Sequence, residues 1–175
     1  LSAPPTFSSF FSRMPSLRRI VWIDVAGQGD EIPGMQRFSE WIATGDQLDP
    51  QVAAVQKTLK NTDPINIQFT SGTTGFPKGA TLTHRNILNN GFFIGECMKL
   101  TPEDRLCIPV PLYHCFGMVL GNLACLTHGA AIVYPNDGFD PLTVLQTVQD
   151  ERCTGLHGVP TMFIAELDHP RFAEF

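Results

Sequence analysis

The sequence predicts an α/β fold, a largely parallel sheet flanked by helices. Strand-like apolar runs recur at residues 19–24, 65–70, 79–83, 105–110, 130–134 and 154–159. Stretches with helical spacing of apolar residues fall between most of them. Strands alternating with helices are the signature of parallel sheets, because each crossover needs a helix to return the chain to the same edge.

Taken in chain order, Leu17 to Asp24 reads as a strand that ends in an acid. A Gly/Asp-rich turn follows, then a short helix from Phe38 to Ala43 and a polar helix from Pro50 to Lys60. Ile65-Asn66-Ile67-Gln68-Phe69 alternates apolar and polar side chains, as a strand with two unlike faces does. Asn86 to Leu100 places Ile87, Leu88, Phe92, Phe93, Ile94 and Met98 close to helical period, with Thr83 or Asn86 as the cap. Its positive end is expected to point back toward the loop before it. Gly91 and Gly95 inside that helix imply a close neighbour, since glycine lowers helix propensity and needs a packing reason. Phe116 to Leu126 reads as a buried helix stopped by Gly129, followed by a return to the sheet at Ala130 to Tyr134. Asp140-Pro141 supplies a cap and a first-turn proline for a helix through Leu142, Leu145 and Val148.

With 175 residues and 43% apolar content the chain can bury about 70% of its unfolded surface. A net charge of −5 leaves no Lys/Arg stripe to displace counterions, which argues against a nucleic-acid partner. The most apolar run falls far short of the ~20 residues of a membrane span, so any membrane contact is expected to be peripheral. Five cysteines without regular spacing suit a reducing compartment, cytoplasmic or alternatively the mitochondrial matrix. The first 23 residues hold three arginines and no acid, but they read as an internal segment more than as a transit peptide.

Most of the functional content lies in Thr70-Ser71-Gly72-Thr73-Thr74-Gly75-Phe76-Pro77-Lys78-Gly79. Gly72 and Gly75 can take positive φ and let successive backbone N–H groups converge on an anion. Ser71, Thr73 and Thr74 bring hydroxyl donors, Pro77 stiffens the far side, and Lys78 adds a full charge on a long stem. This is the chemistry of a polyphosphate cradle. It is not a Walker loop, since Pro77 precedes the lysine and Gly79 follows it, and no Gly-x-Gly-x-x-Gly fingerprint is present.

The ten-residue segment, continuing into Ala80-Thr81-Leu82-Thr83-His84-Arg85-Asn86, resembles the phosphate loop of the adenylate-forming ligases. Pro109-Val110-Pro111-Leu112-Tyr113-His114-Cys115-Phe116-Gly117 resembles that superfamily's Pro-Leu-x-His-x-x-Gly segment, and Gly158-Val159-Pro160-Thr161-Met162-Phe163 a stretch on the acyl side of the site. The overall likeness is to fatty-acyl-CoA synthetases. It implies activation of a fatty acid with ATP, release of pyrophosphate, and capture of the acyl-adenylate by CoA. Thr70, Ser71, Gly72, Thr73, Thr74, Gly75, Lys78 and Gly79 would then form the phosphate site, with the Thr73 hydroxyl on Mg²⁺. Lys78 and His114 would be the catalytic pair, His114 near the carboxylate and the acyl entrance. His84 reads equally as a ligand or as a solvent-facing residue.

Cys107, His114, Cys115, Cys125 and His128 lack metal-ligand spacing, and the cysteines among them read as buried thiols of an apolar core. A Cys115/His114 nucleophile pair is disfavoured, because adjacent strand residues point to opposite faces. The alternative class is a non-catalytic nucleotide- or anion-binding module. Several segments of the superfamily have no match here: a Tyr-Gly-x-Thr-Glu segment, a ribose-binding aspartate, a hinge and the lysine of a mobile C-terminal lid domain. The chain is therefore read as part of an N-terminal domain, with residues 1–60 ending one α/β segment and residues 61–175 forming a phosphate-loop subdomain. Assayed alone, it is expected to bind ATP·Mg²⁺ weakly and to make no acyl-adenylate. Pyrophosphate release from ATP and a fatty acid by these 175 residues would contradict that expectation.

Overall fold

A computed structural model describes residues 14, 16–23, 32, 34–45, 49–70 and 75–175. The chain divides into two compact units, Leu1–Thr58 and Leu59–Phe175. In the first, β1 (Val21–Trp22) pairs in parallel with β2 (Gln36–Arg37). Helix α1 (Phe38–Ala43) continues directly from β2. The Arg37 guanidinium lies 4.9 Å from the centre of the Trp22 ring, a cation–π contact that ties the two strands. Helix α2 (Pro50–Gln56) opens on Asp49, whose carboxylate accepts from the Gln51 N–H at 2.8 Å. The expected strand at 19–24 is reduced to two residues, and the Gly/Asp-rich turn after it lies mostly outside the described residues.

The second unit begins with a hairpin. β3 (Pro64–Thr70) and β4 (Lys78–Thr83) pair antiparallel, with Thr70 opposite Lys78 and Pro64 opposite Thr83. The two predicted strands exist, but they form their own two-stranded sheet. Helix α3 (His84–Met98) follows at once. Thr83 is its N-cap: the Asn86 N–H donates to the Thr83 hydroxyl at 3.2 Å, and the Thr83 N–H donates to the Asn86 side chain at 3.1 Å. Both residues named as possible caps thus act together in a reciprocal box.

The parallel sheet is the order β6-β5-β7, with β5 (Arg105–Cys107) between β6 (Ala131–Val133) and β7 (Gly155–Leu156). All three strands are shorter than the apolar runs suggested. Ile108 still donates to the Val133 carbonyl at 2.9 Å, but Pro109 and Pro111 have no N–H to continue the ladder. A π-helical segment (Phe116–Leu123) runs into α4 (Ala124–His128), which Gly129 ends at φ 74°. Helix α5 (Pro141–Asp150) links β6 to β7, with Asp140 accepting from the Thr143 N–H at 2.8 Å and Pro141 at its start. Helix α6 (Pro160–Leu167) closes the unit. Because β6 and β7 flank β5 on opposite sides, right-handed crossovers place the two connections on opposite faces of the sheet. Among the described residues no helix is long and apolar enough to cross a membrane.

The core forms where Leu106, Ile108, Val110, Cys125 and Ala130 meet, with Phe116, Ile132 and Met162 packed against them. Against this core α3 lies close to the π-helix and α4, and its glycines make that possible. A Cβ at Gly91 would stand 2.6 Å from the Leu123 Cβ, and one at Gly95 would stand 2.3 Å from the His128 ring. His128 is itself held, with Nε2 3.1 Å from the Glu96 carboxylate and its ring stacked on Phe92 at 5.3 Å.

Gly91→Ala should therefore lower the melting temperature, although alanine is the better helix former by about 1 kcal/mol. The clash is with a Cβ and nearby backbone that cannot rotate away, and overpacking of this kind costs about 1–3 kcal/mol. Asn90→Ala, one residue away on an exposed position, is the control and should leave the melt unchanged or raise it slightly. Equal melts for the two variants would show that α3 does not pack as described.

Candidate functional site

The phosphate-loop segment is the turn of the β3–β4 hairpin. Thr70 and Lys78 stand opposite each other at its neck. Thr70, Gly75, Lys78 and Gly79 are described; Ser71, Gly72, Thr73 and Thr74 lie outside the described residues. Gly75 takes φ 90°, a conformation that costs other residues dearly, and no atom of the described residues lies within 4 Å of where its Cβ would be. Lys78 is exposed, a compact ammonium on a flexible stem.

Strand alternation sorts the hairpin residues onto two faces. Thr70, Gln68 and Asn66 share one face of β3 with Lys78, Ala80 and Leu82 of β4, while Ile65, Ile67 and Phe69 share the other with Gly79 and Thr81. Gly79 is packed, not open: a Cβ there would meet Ile67 at 3.1 Å and the Phe69 ring at 3.4 Å. Its side-chain position belongs to the apolar face, so only its backbone is left for an anion. The apolar face is also the exposed one, with Phe69 at 68% exposure, whereas Asn66 and Gln68 are half-buried.

On the Lys78 face the hairpin meets the segment that carries His114. The Gln68 side-chain amide donates to the Tyr113 carbonyl at 3.4 Å, one residue before His114. The segment 111–117 is a closed turn in its own right. The His114 N–H donates to the Pro111 carbonyl at 3.3 Å, and the Phe116 N–H donates to His114 Nδ1 at 3.1 Å. That bond leaves the proton of a neutral ring on Nε2. Gly117 allows the turn to close, since a Cβ there would lie 2.6 Å from the Pro111 oxygen. His114 and Cys115 therefore sit in a turn entering the π-helix and not on a strand, so the alternation argument against their pairing does not apply to them.

The start of α3 needs a second correction. The hairpin register puts Thr83 beside Pro64, five residues of strand from Lys78, or about 17 Å. The helix N-terminus is at the far end of the hairpin from the loop. Its first N–H groups are already engaged, His84 to the Asp63 carbonyl at 3.3 Å and Arg85 to the Asn61 carbonyl at 2.9 Å. This helix has no free donors for a phosphate at Lys78, and His84 stays with the far end.

Beyond the carboxyl ends of β5 and β6 opens a cavity of about 500 Å³. Val110, Leu112, Tyr113, Tyr134, Asp137 and Met162 contribute to its lining. This is the edge at which parallel sheets bind ligands, because the loops following adjacent strands diverge there.

Two titratable groups near this edge escaped sequence reading. His157 is half-buried, with Nε2 3.1 Å from the Leu120 carbonyl of the π-helix and its ring edge-on to Phe116 at 4.9 Å. Burial holds its pKa below the ordinary histidine value. Its position just before Gly158-Val159-Pro160 was the available signal. Glu166 is only 4% exposed, one of its carboxylate oxygens has no hydrogen-bond partner among the described residues, and burial raises its pKa. Nothing in the periodicity of α6 marks it.

Cys107 and Cys125 are fully buried, while Cys115 is half-buried and His114 exposed, so these residues do not converge. Among the described residues no group of three potential metal ligands is assembled. Burial pushes the Cys107 thiol up to about 12 and the Cys125 thiol to about 11. Thiols ordinarily ionise near 9, so between about pH 9 and 11 the unfolded chain releases protons that the folded chain keeps. Stability should therefore be full below pH 9 and fall as pH rises through that window, read as a declining melting temperature. At pH 8 a thiol reagent should modify exposed Cys97 well before either buried thiol. Equal rates at all three would mean the core opens readily.

A family profile described as "AMP-binding enzyme" matches residues 11–175. The putative acyl-CoA synthetase YngI of Bacillus subtilis is 50% identical over 161 residues, 91% of this chain and 28% of the relative. The human mitochondrial medium-chain acyl-CoA ligase ACSF2 is 43% identical over 170 residues, 93% of this chain and 27% of the relative. The chain thus spans little more than a quarter of the length of these curated relatives. Among solved structures, ATP-bound MatB from Rhodopseudomonas palustris superposes with a TM-score of 0.58 at 34% identity, over 65% of this chain and 22% of that one. The anthranilate CoA ligase AuaEII in complex with anthranoyl-AMP gives a TM-score of 0.72 at 23% identity, over 96% of this chain and 31% of that one, a likeness of fold.

Proposed function

The chain belongs to the AMP-binding enzyme family, and from that premise we propose that it supplies the phosphate-binding part of an acid–thiol ligase acting on a fatty acid. In the proposed reaction the carboxylate attacks the α-phosphorus of ATP, pyrophosphate leaves, and the CoA thiol then displaces AMP from the acyl-adenylate to give acyl-CoA. The observation that carries this reading is the hairpin face on which Thr70 and Lys78 stand opposed while Gln68 joins the turn of His114. It supports a phosphate-side group and an acyl-side group on one surface, as an in-line attack requires.

Lys78 acts where charge builds on the departing pyrophosphate, a position at which a full positive charge stabilises the transition state. Thr70 and Gly79 belong to the proposed phosphate site by their place at the two ends of the segment, Gly75 by its positive φ, and Ser71, Gly72, Thr73 and Thr74 by residue type, as hydroxyl and backbone donors. Mg²⁺ bound beside the triphosphate neutralises charge there, and the Thr73 hydroxyl is the protein oxygen proposed to face it, a donor type that suits this hard cation. His114, with Nδ1 held by the Phe116 N–H, presents Nε2 toward the carboxylate side. The apolar lining of the cavity beyond β5 and β6, including Val110, Leu112 and Met162, offers room for an acyl chain. The names of the relatives favour a fatty acid of medium length. Five unpaired cysteines suit a reducing compartment, cytoplasm or mitochondrial matrix.

In the full-length protein Lys78→Ala should slow adenylate formation by about 10²–10³, equivalent to roughly 3–4 kcal/mol, with little change in fatty-acid binding. Lys78→Arg should recover only part of this, since a planar fork does not replace a point charge in a tight turn. His114→Ala should instead change the dependence on acyl chain or the CoA step. Unchanged pyrophosphate release in Lys78→Ala, with release abolished in His114→Ala, would reverse these roles.

A further inference from the structure

We infer that Gln68 is a positioning residue that sets the His114 turn against the phosphate hairpin. The inference rests on the ligase reading and on the acyl-side role of His114, and it adds a role for the Gln68 amide in placing that histidine.

Gln68 faces Ala80 across the hairpin, and the small side chain opposite leaves the amide room to lie over the sheet. It sits two residues before Thr70 on the face that carries Lys78, about 7 Å away along the strand. From there its amide donates to the Tyr113 carbonyl at 3.4 Å. Tyr113 immediately precedes His114, and the side chain of Tyr113 is 84% exposed, so that side chain supplies no anchor. The turn 111–117 is internally closed by the His114 N–H on Pro111 and the Phe116 N–H on His114 Nδ1. A turn that is stiff within itself moves as one piece. Phe116 anchors one end of the turn on the core, and among the described residues the Gln68 bond to the Tyr113 carbonyl ties it to the hairpin, so that bond sets the His114 side against Lys78 without Gln68 touching either reacting group.

The consequence is a selective one. β3 and β4 hold Lys78 through their own backbone ladder, so loss of the Gln68 amide leaves the phosphate side in place. The His114 side loses its register.

The test uses the full-length protein, octanoate as the probe carboxylate, and carboxylate-dependent ATP–pyrophosphate exchange. Gln68→Met keeps length and removes the donor; Gln68→Glu keeps shape and sets a carboxylate against the Tyr113 carbonyl. Losing one hydrogen bond should raise the KM for octanoate about three- to tenfold in Gln68→Met, and further in Gln68→Glu. The KM for ATP and the melting temperature should stay at their unmutated values. In a His114→Ala background Gln68→Met should add nothing, because the group it positions is gone. An unchanged octanoate KM in both variants, an equal shift in the ATP KM, or full additivity with His114→Ala would each overturn the inference while leaving the ligase reading intact. Absence of exchange by the unmutated protein with octanoate and with fatty acids of other lengths would overturn the ligase reading and this inference together.

Discussion

The antiparallel register that sets Thr70 against Lys78 is the constraint on which the site depends. It brings the two ends of the phosphate-loop segment to one neck. Because side chains alternate along a strand, the same register decides which residues share the face of Lys78. Thr70 and Gln68 do, and Gly79 does not. A slip of one residue would carry Lys78 to the face of Ile67 and Phe69 and break its relation to the His114 turn.

The second constraint is proline. Pro109 and Pro111 end the β5 ladder after Ile108, and the chain leaves the sheet as a turn where a longer strand was expected. That early exit opens the cavity beyond β5 and β6 and lets Tyr113 come within reach of Gln68. Gly117 then lets the turn close on the Pro111 carbonyl before the π-helix begins. Widened helices leave carbonyls in unusual positions, and here the Leu120 carbonyl is met by the half-buried His157 ring. His157, Phe116 and His114 thus form a contiguous series from β7 to the exposed imidazole.

On β3 the apolar Ile67 and Phe69 share one face, and Asn66 and Gln68 share the other, which meets the His114 turn through the Gln68 amide. The alternation was legible in the sequence. Which neighbour the polar face would meet was not, because a long-range hydrogen bond leaves no trace in periodicity.

Local chemistry made much of this legible from residues alone. The Asp140-Pro141 start of α5, the Thr83 cap of α3 and the Gly129 stop of α4 each depend on a few consecutive residues, and all three are found. Gly91 and Gly95 announced a close neighbour, though not that the neighbours are Leu123 and the His128 ring. The ten-residue loop pointed to a polyphosphate because its donors are adjacent in sequence. What only the tertiary structure decided is whatever depends on pairing across the chain. The pairing of β3 with β4 removed the α3 N-terminus from the loop by the length of a strand. Proline cut β5 short by denying its neighbours a donor, and burial singled out Glu166 and His157. Sequence fixes chemistry over a few residues, where bonds and caps are local; which distant groups face one another is set by register and packing, and these exist only once the chain has closed on itself.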